Sequence, residues 1–117
     1  MNKKYNRYIE YIVNDIEPPY FINMRDSYGL STDEYEMVLS KVFKQPVTIK
    51  GRIIYNKKGD EIYLEFSNSY WVKKEYDRQG NKIYFENSNG YWVKREYDEQ
   101  GNRIYYENSD GYIEDNR

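Results

Sequence analysis

The chain contains no cysteine and no histidine. The first absence excludes disulfides and thiol nucleophiles, and the second excludes Ser-His and Cys-His dyads. Together they remove the usual structural zinc sites. Neither charge is in real surplus: 18 Lys and Arg stand against 20 Asp and Glu, a net charge of −2. Bulk charge therefore argues against both a basic nucleic-acid binder and an acidic DNA mimic. There is no apolar run long enough for a signal peptide or a membrane span, since Met1 leads into Asn2-Lys3-Lys4-Tyr5. A cytoplasmic protein without a membrane partner is the expectation. With 117 residues the chain fits one domain, or one with a short appendage, and is too short for a TIM barrel or a large doubly wound enzyme. Hydrophobic residues reach only 38%, which would suit disorder, yet 19% of the chain is aromatic, with 16 tyrosines. Tyrosine buries a large ring and keeps its hydroxyl wet, so these residues can build a folded protein that mean hydropathy does not register.

The strongest signal is an internal repeat. The stretch from Ser69 through Tyr70-Trp71-Val72-Lys73-Lys74-Glu75-Tyr76-Asp77 to Ser88 recurs from Gly90 through Tyr91-Trp92-Val93-Lys94-Arg95-Glu96-Tyr97-Asp98 to Ser109. Trp71 and Trp92, like Gly80 and Gly101, lie 21 positions apart. A worn copy precedes them, with Tyr55, Gly59, Ile62, Tyr63 and Glu65 matching Tyr76, Gly80, Ile83, Tyr84 and Glu86. A truncated fourth begins at Asp110-Gly111-Tyr112. Residues 46–117 are thus expected to form an array with units near 46–68, 69–89 and 90–110 and a partial unit over 111–117.

Each unit reads as two strands and two turns. Asp77 to Asn81 and Asp98 to Asn102 carry Asp, Gly and Asn where a tight turn needs them, and Ser88-Asn89-Gly90 and Ser109-Asp110-Gly111 supply the second turn. Strands so closely connected must be antiparallel, giving a meander of six to seven strands. Alternation puts Tyr70, Val72, Lys74 and Tyr76 on one face and Trp71, Lys73 and Glu75 on the other, and sets Ile83 and Phe85 against Tyr84 and Glu86. Tyr55, Tyr76 and Tyr97 are expected in one cross-strand row, and Tyr63, Tyr84 and Tyr105 in another. Such a sheet would be held by cross-strand pairs worth about 0.2–1 kcal/mol each, with little core behind it.

Residues 1–45 carry helical signals instead. Tyr5, Tyr8, Ile9, Ile12, Val13 and Ile16 form an apolar stripe that Pro18-Pro19 ends. Pro19 can open a second helix, with Tyr20, Phe21, Met24 and Tyr28 inward and Gly29 as its stop. Ser31 and Glu34 form a capping box with Leu30 and Tyr35 as a staple. The third helix buries Tyr35, Val38, Leu39 and Val42 until Gln45-Pro46. The expected fold is α+β: an N-terminal three-helix cap, then an antiparallel β-meander of repeated hairpins.

Several chemistries can be weighed on these residues. Pro19–Tyr28, Gly29-Leu30 and Ser31–Lys44 have the outline of a helix-turn-helix. The second helix, however, opens with Asp33, Glu34 and Glu36, which phosphates repel, so packed helices are the simpler reading. Aromatics beside Lys73-Lys74 and Lys94-Arg95 could stack bases, although interleaved acids point to a self-paired face. Carboxylate pairs across hairpins (Glu75 with Glu86, or Glu96 with Glu107) would suit a glycosidase-like dyad. A repeated acid on an open sheet is more simply a ladder element, so no enzyme, cofactor or metal is expected. The loop from Asp77 to Asn81 is too short for an EF-hand.

Three resemblances follow. The stretch Glu96-Tyr97-Asp98-Glu99-Gln100-Gly101-Asn102-Arg103-Ile104 is similar to the tyrosine-aspartate repeats of large toxin shells. Tyr76-Asp77, Gly80 and Ile83 match the same motif. Gly80-Asn81 and Gly101-Asn102 replace its usual Gly-Arg, and the resemblance implies hairpin architecture. Repeats joining Gly, Trp and paired aromatics also resemble choline-binding and other cell-wall modules, which leaves carbohydrate or choline binding open. The arrangement as a whole looks like small proteins of low-GC bacterial phages and mobile elements, some of which are anti-CRISPR or related anti-defence inhibitors. It implies a non-catalytic protein that docks on a host defence effector such as a CRISPR nuclease, with a nucleic-acid-binding accessory role as the alternative. Trp71 and Trp92 are the expected anchors, ringed by Tyr70, Tyr76, Tyr91 and Tyr97 with Lys73, Lys74, Lys94 and Arg95 on the rim. Rings of this kind offer large area for little lost rotamer freedom. The competing reading is that they hold the sheet or pair it edge to edge with a second copy, as a homodimer.

Overall fold

The computed structural model describes residues 10–117. Tyr5, Tyr8 and Ile9 of the first apolar stripe lie outside that range. Residues 10–15 form helix α1, with Ile12 buried and Ile16 N–H donating to its carbonyl at 2.9 Å. Helix α2 spans Tyr20–Ser27 and α3 spans Thr32–Phe43. Eight strands follow among the described residues: β1 (Thr48–Lys50), β2 (Ile53–Tyr55), β3 (Glu61–Glu65), β4 (Trp71–Tyr76), β5 (Lys82–Asn87), β6 (Trp92–Tyr97), β7 (Arg103–Asn108) and β8 (Ile113–Asp115). The protein is α+β, with helices preceding an antiparallel meander. It has more strands than the repeat suggests because the worn first copy folds an extra hairpin over Gly51-Arg52 and the truncated fourth copy still contributes β8.

The chain divides into two compact units, residues 1–69 and 70–117. The repeat and the helical signals before it place a boundary near residue 46, whereas the first hairpins group with the helices. The reason lies in the buried set. Ile12, Tyr20, Phe21, Met24, Val38, Leu39, Val47, Ile49, Ile54, Ile62 and Tyr63 are all buried and all belong to the first unit. Ile49 faces Ile54 across β1–β2, and Ile54 faces Tyr63 across β2–β3, so β1 to β3 present an apolar face. The aromatic rings of Tyr20, Phe21 and Phe43 lie 5.0, 6.3 and 6.2 Å from that of Tyr63. Helix α3 starts on its capping box: Glu34 N–H donates to Ser31 Oγ at 3.3 Å and Ser31 N–H to Glu34 Oε1 at 2.8 Å. Its Glu36 carboxylate accepts from the N–H of Ile49 at 3.0 Å, fastening β1 to the helix.

The second unit holds strands only, β4 to β8. Its turns are built alike. Asp77 Oδ1 accepts from the N–H of Gln79 and of Asn81, both at 2.9 Å, and Gly80 takes φ +89°. Asp98 repeats this with Gln100 and Asn102 at 3.0 and 2.8 Å, and Gly101 at φ +86°. In the alternate turns Asn87 and Asn108 do the same work through Oδ1. Val72 and Val93 are the buried side chains of this unit among the described residues, so ladders and turns hold it where the first unit has a core.

Register departs from simple rows. Tyr84 faces Glu75 on one side and Lys94 on the other, and Lys94 in turn faces Glu107. Crossing one repeat therefore arrives two residues beyond Tyr105, and Tyr84 and Tyr105 do not share a row. The two turns of each unit differ in length, and a bulge at Glu75/Tyr76 and at Glu96/Tyr97 adds a residue to one strand of each hairpin. The stagger places tyrosine and both charges side by side along one row.

Candidate interaction surfaces

The ten expected contact residues lie on two faces of the second unit. Lys73 faces Glu86, and Glu86 faces Trp92. Trp71, Lys73, Trp92 and Lys94 share that face with Tyr84 and Glu86, as strand alternation requires. The ammonium of Lys73 sits 5.4 Å from the Trp71 ring, and that of Lys94 5.1 Å from the Trp92 ring, within cation–π range. Lys74 and Arg95 lie on the opposite face, against Phe85 and Tyr106. Tyr91 joins them there, its ring 6.3 Å from Phe85, and alternation adds Tyr70, Tyr76 and Tyr97. No single patch contains both tryptophans and the four tyrosines.

The tyrosine face carries a shallow depression. Lys82, Phe85, Tyr91, Val93, Arg95 and Tyr106 line a shallow groove of about 230 Å³. The guanidinium groups of Arg95 and Arg103 lie 5.5 and 4.9 Å from the Tyr106 ring centre. The Asn108 amide donates to the Tyr106 hydroxyl at 3.3 Å. That bond, a second from Tyr91 and the two arginines lower the Tyr106 pKa from its ordinary value. The bond to Tyr106 raises that of Tyr91. The groove thus offers ring faces and positive charge to an acidic or aromatic group. Phe85, Lys82 and Tyr106 were not singled out from the sequence; their signal was the recurrence of an aromatic residue at 85 and 106, which alone does not tell a groove from a ladder.

The tryptophan face carries a repeated Tyr-x-Glu pair. Tyr84 O–H donates to Glu86 Oε1 at 3.2 Å, and Tyr105 O–H to Glu107 Oε1 at 2.7 Å. Burial, then the charge and hydrogen bond of Glu86, push the Tyr84 phenol up to about 12. The first copy uses the same pair differently. Tyr63 O–H donates to Glu65 Oε1 at 2.6 Å. The Glu65 carboxylate then accepts from the N–H groups of Phe21 and Ile22, both at 3.0 Å, and Tyr63 Oη accepts from Tyr20 N–H at 3.2 Å. These are the first three N–H groups of α2. Pro19, its N-cap residue, makes no side-chain bond, so the sheet satisfies the helix start instead. Arg52 lies 3.7 Å from Glu65, balancing a carboxylate that is only 3% exposed as a residue.

The carboxylates expected to face one another do not. Glu86 stands opposite Lys73 and Glu75 opposite Tyr84, with Glu107 opposite Lys94 and Glu96 opposite Tyr105. Among the described residues no group of three or more acidic side chains is placed to hold a metal ion. No helix among them is long and apolar enough to cross a membrane. No protein-family model matches the chain, and no curated protein matches it in sequence.

Proposed function

We propose that this protein is a non-catalytic protein-binding inhibitor, a phage-type anti-CRISPR or anti-defence factor that docks on a host nuclease effector in the cytoplasm. One observation carries the reading: the second unit spends its aromatic side chains on two open faces, with only Val72 and Val93 buried among its described residues. Tyr and Trp on a rigid hydrogen-bonded sheet lose little freedom on binding, which is what makes them effective interface anchors. Both faces carry Lys or Arg against rings, so a partner finds apolar area and charge together. The test is affinity capture with the full chain from a host lysate, followed by reconstitution with the captured nuclease. A stoichiometric complex that stops cleavage is the expected result, and failure of any nuclease to bind or be inhibited rejects the proposal.

A nucleic-acid-binding accessory role is the second reading, and the arginine-lined groove beside Phe85 and Tyr106 is what favours it. Salt titration separates the two. Phosphate contacts give a steep fall of log affinity with log salt, and direct DNA or RNA affinity with that slope would favour the accessory role.

A further inference from the structure

We propose that the tyrosine face of the second unit binds a single strand of DNA or RNA, its bases stacked on Phe85, Tyr91 and Tyr106 and its phosphates against Lys82, Arg95 and Arg103. This deepens the nucleic-acid reading above and rests on it. The strands of this unit sort their charges by face. On the tyrosine face Lys74, Lys82, Arg95 and Arg103 stand against Glu114 as the strand carboxylate. Arg103 approaches Glu114 to 3.5 Å, and the Tyr112 hydroxyl donates to the same carboxylate at 3.1 Å. Arg95 has no carboxylate partner among the described residues, and its guanidinium lies 5.5 Å from the Tyr106 ring centre. Asp77 and Asp98, in the turns that lead into β5 and β7, accept backbone N–H bonds. Asp110 acts on Tyr91, at the end of the strands away from Lys82 and Arg103. On the tryptophan face Lys73, Lys94 and Arg117 meet Glu75, Glu86, Glu96, Glu107 and Asp115, and the balance is acidic. A chain with a net charge of −2 thus carries a cationic face.

The site also repeats. Phe85 and Tyr106, Lys82 and Arg103, and Lys74 and Arg95 hold equivalent positions 21 residues apart. Equivalent residues lie two strands apart, so ring and cations recur about every 10 Å across the sheet. Such a row fits a polymer that offers a planar group and an anion in every unit. Nucleic acid does so, whereas an acidic peptide brings the charge without the rings. The depression of about 230 Å³ beside Phe85, Tyr91 and Tyr106 is shallow. It suits an unpaired base lying on a ring; in a duplex the base faces are stacked on one another and only edges and phosphates are offered.

The probes are fluorescein-labelled oligo-dT and oligo-U of about 12 nucleotides, within the span such platforms cover. They are titrated into the full chain by anisotropy at several salt concentrations, beside a duplex of equal length and a labelled glutamate peptide. Both single strands are expected to bind more tightly than the duplex or the peptide. Tyr106→Leu should weaken them about tenfold, the worth of one lost stack. Arg95→Gln and Arg103→Gln should each lower the log–log salt slope by about 0.7, one phosphate contact apiece. Arg117→Gln removes the same charge from the other face and should change neither affinity nor slope. Tryptophan emission should stay constant on binding, because Trp71 and Trp92 lie on the other face. Phe85→Leu tests the stacking should Tyr106→Leu fail to fold. Binding indifferent to the tyrosine-face variants, quenched tryptophans or an equal preference for the duplex would overturn this site and leave the nucleic-acid reading standing. No binding to any nucleic acid would overturn both. A glutamate peptide bound as tightly as the single strands would make an acidic protein surface the occupant and overturn the proposal as well.

Discussion

Position 69 shows how much a single backbone conformation decides. Ser69 adopts φ +75°, and its counterparts in the next two repeats are Gly90 and Gly111 at +86° and +90°. A side chain in this left-handed region costs about 1–2 kcal/mol, a strain glycine avoids. Ser69→Gly should therefore raise stability by about 1 kcal/mol, and Gly90→Ala should lower it by a similar amount, both read from denaturant midpoints. The turn aspartates carry a second residue-scale prediction. Backbone and side-chain hydrogen bonds from Asn102, with that of Gln100, hold the Asp98 carboxyl below its ordinary pKa, and Asp77 is lowered too. A lowered folded pKa gives stability that is present above the unfolded value and lost as pH falls through the folded one. Melting temperature should thus drop on acidification below about pH 4. Asn already does this work at 87 and 108, so Asp77→Asn with Asp98→Asn should keep the fold at neutral pH and flatten that acid limb. An unchanged limb would assign it to other carboxylates.

At the level of elements, one strand motif serves two ends. On β3 the Tyr63–Glu65 pair is buried and caps α2. On β5 and β7 the same pair is half-buried, and the hydrogen bond described for it runs from its own tyrosine to its own glutamate. Glu65→Ala would orphan the Phe21 and Ile22 N–H groups and the Tyr63 hydroxyl, each worth about 1–3 kcal/mol when left unsatisfied, so a loss of about 3 kcal/mol or more is expected. Glu86→Ala and Glu107→Ala should cost less than about 1 kcal/mol, because water replaces the lost acceptor. Hydrogen exchange at Phe21 and Ile22 should accelerate in Glu65→Ala alone. Alkali probes the same contrast. A raised phenol pKa gives stability that is present below the unfolded value near 10 and lost as pH rises through the folded value. Burial, then the bond to Glu65, raises Tyr63, and Tyr84 reaches about 12. Tyrosinate absorbance should therefore lag that of free tyrosine, and stability should fall above about pH 10; Tyr84→Phe should remove part of that fall.

For the molecule as a whole, Trp71→Ala and Trp92→Ala separate binding from bracing. Loss of effector binding with a nearly unchanged melting temperature is the expected outcome, and the converse would make the rings sheet braces only. The repeat, its turns and its strands were legible in the sequence, because positive φ at glycine, the Asx acceptors and the period of 21 are all local properties. The capping box at Ser31 and the helix stop at Gly29, with φ +60°, were legible for the same reason. Alternation already parts Trp71 from Tyr70 in the sequence, so one contact patch cannot hold both. The rest was non-local. The stagger that separates Tyr84 from Tyr105 depends on the lengths of two turns and a bulge together. The grouping of β1–β3 with the helices depends on Ile49, Ile54 and Tyr63 meeting rings from α2 and α3. Glu65 reads in sequence as one more copy of Glu86. Only packing decides that one caps a helix and the other faces outward, because a carboxylate's role is set by which donors the fold brings within 3 Å of it.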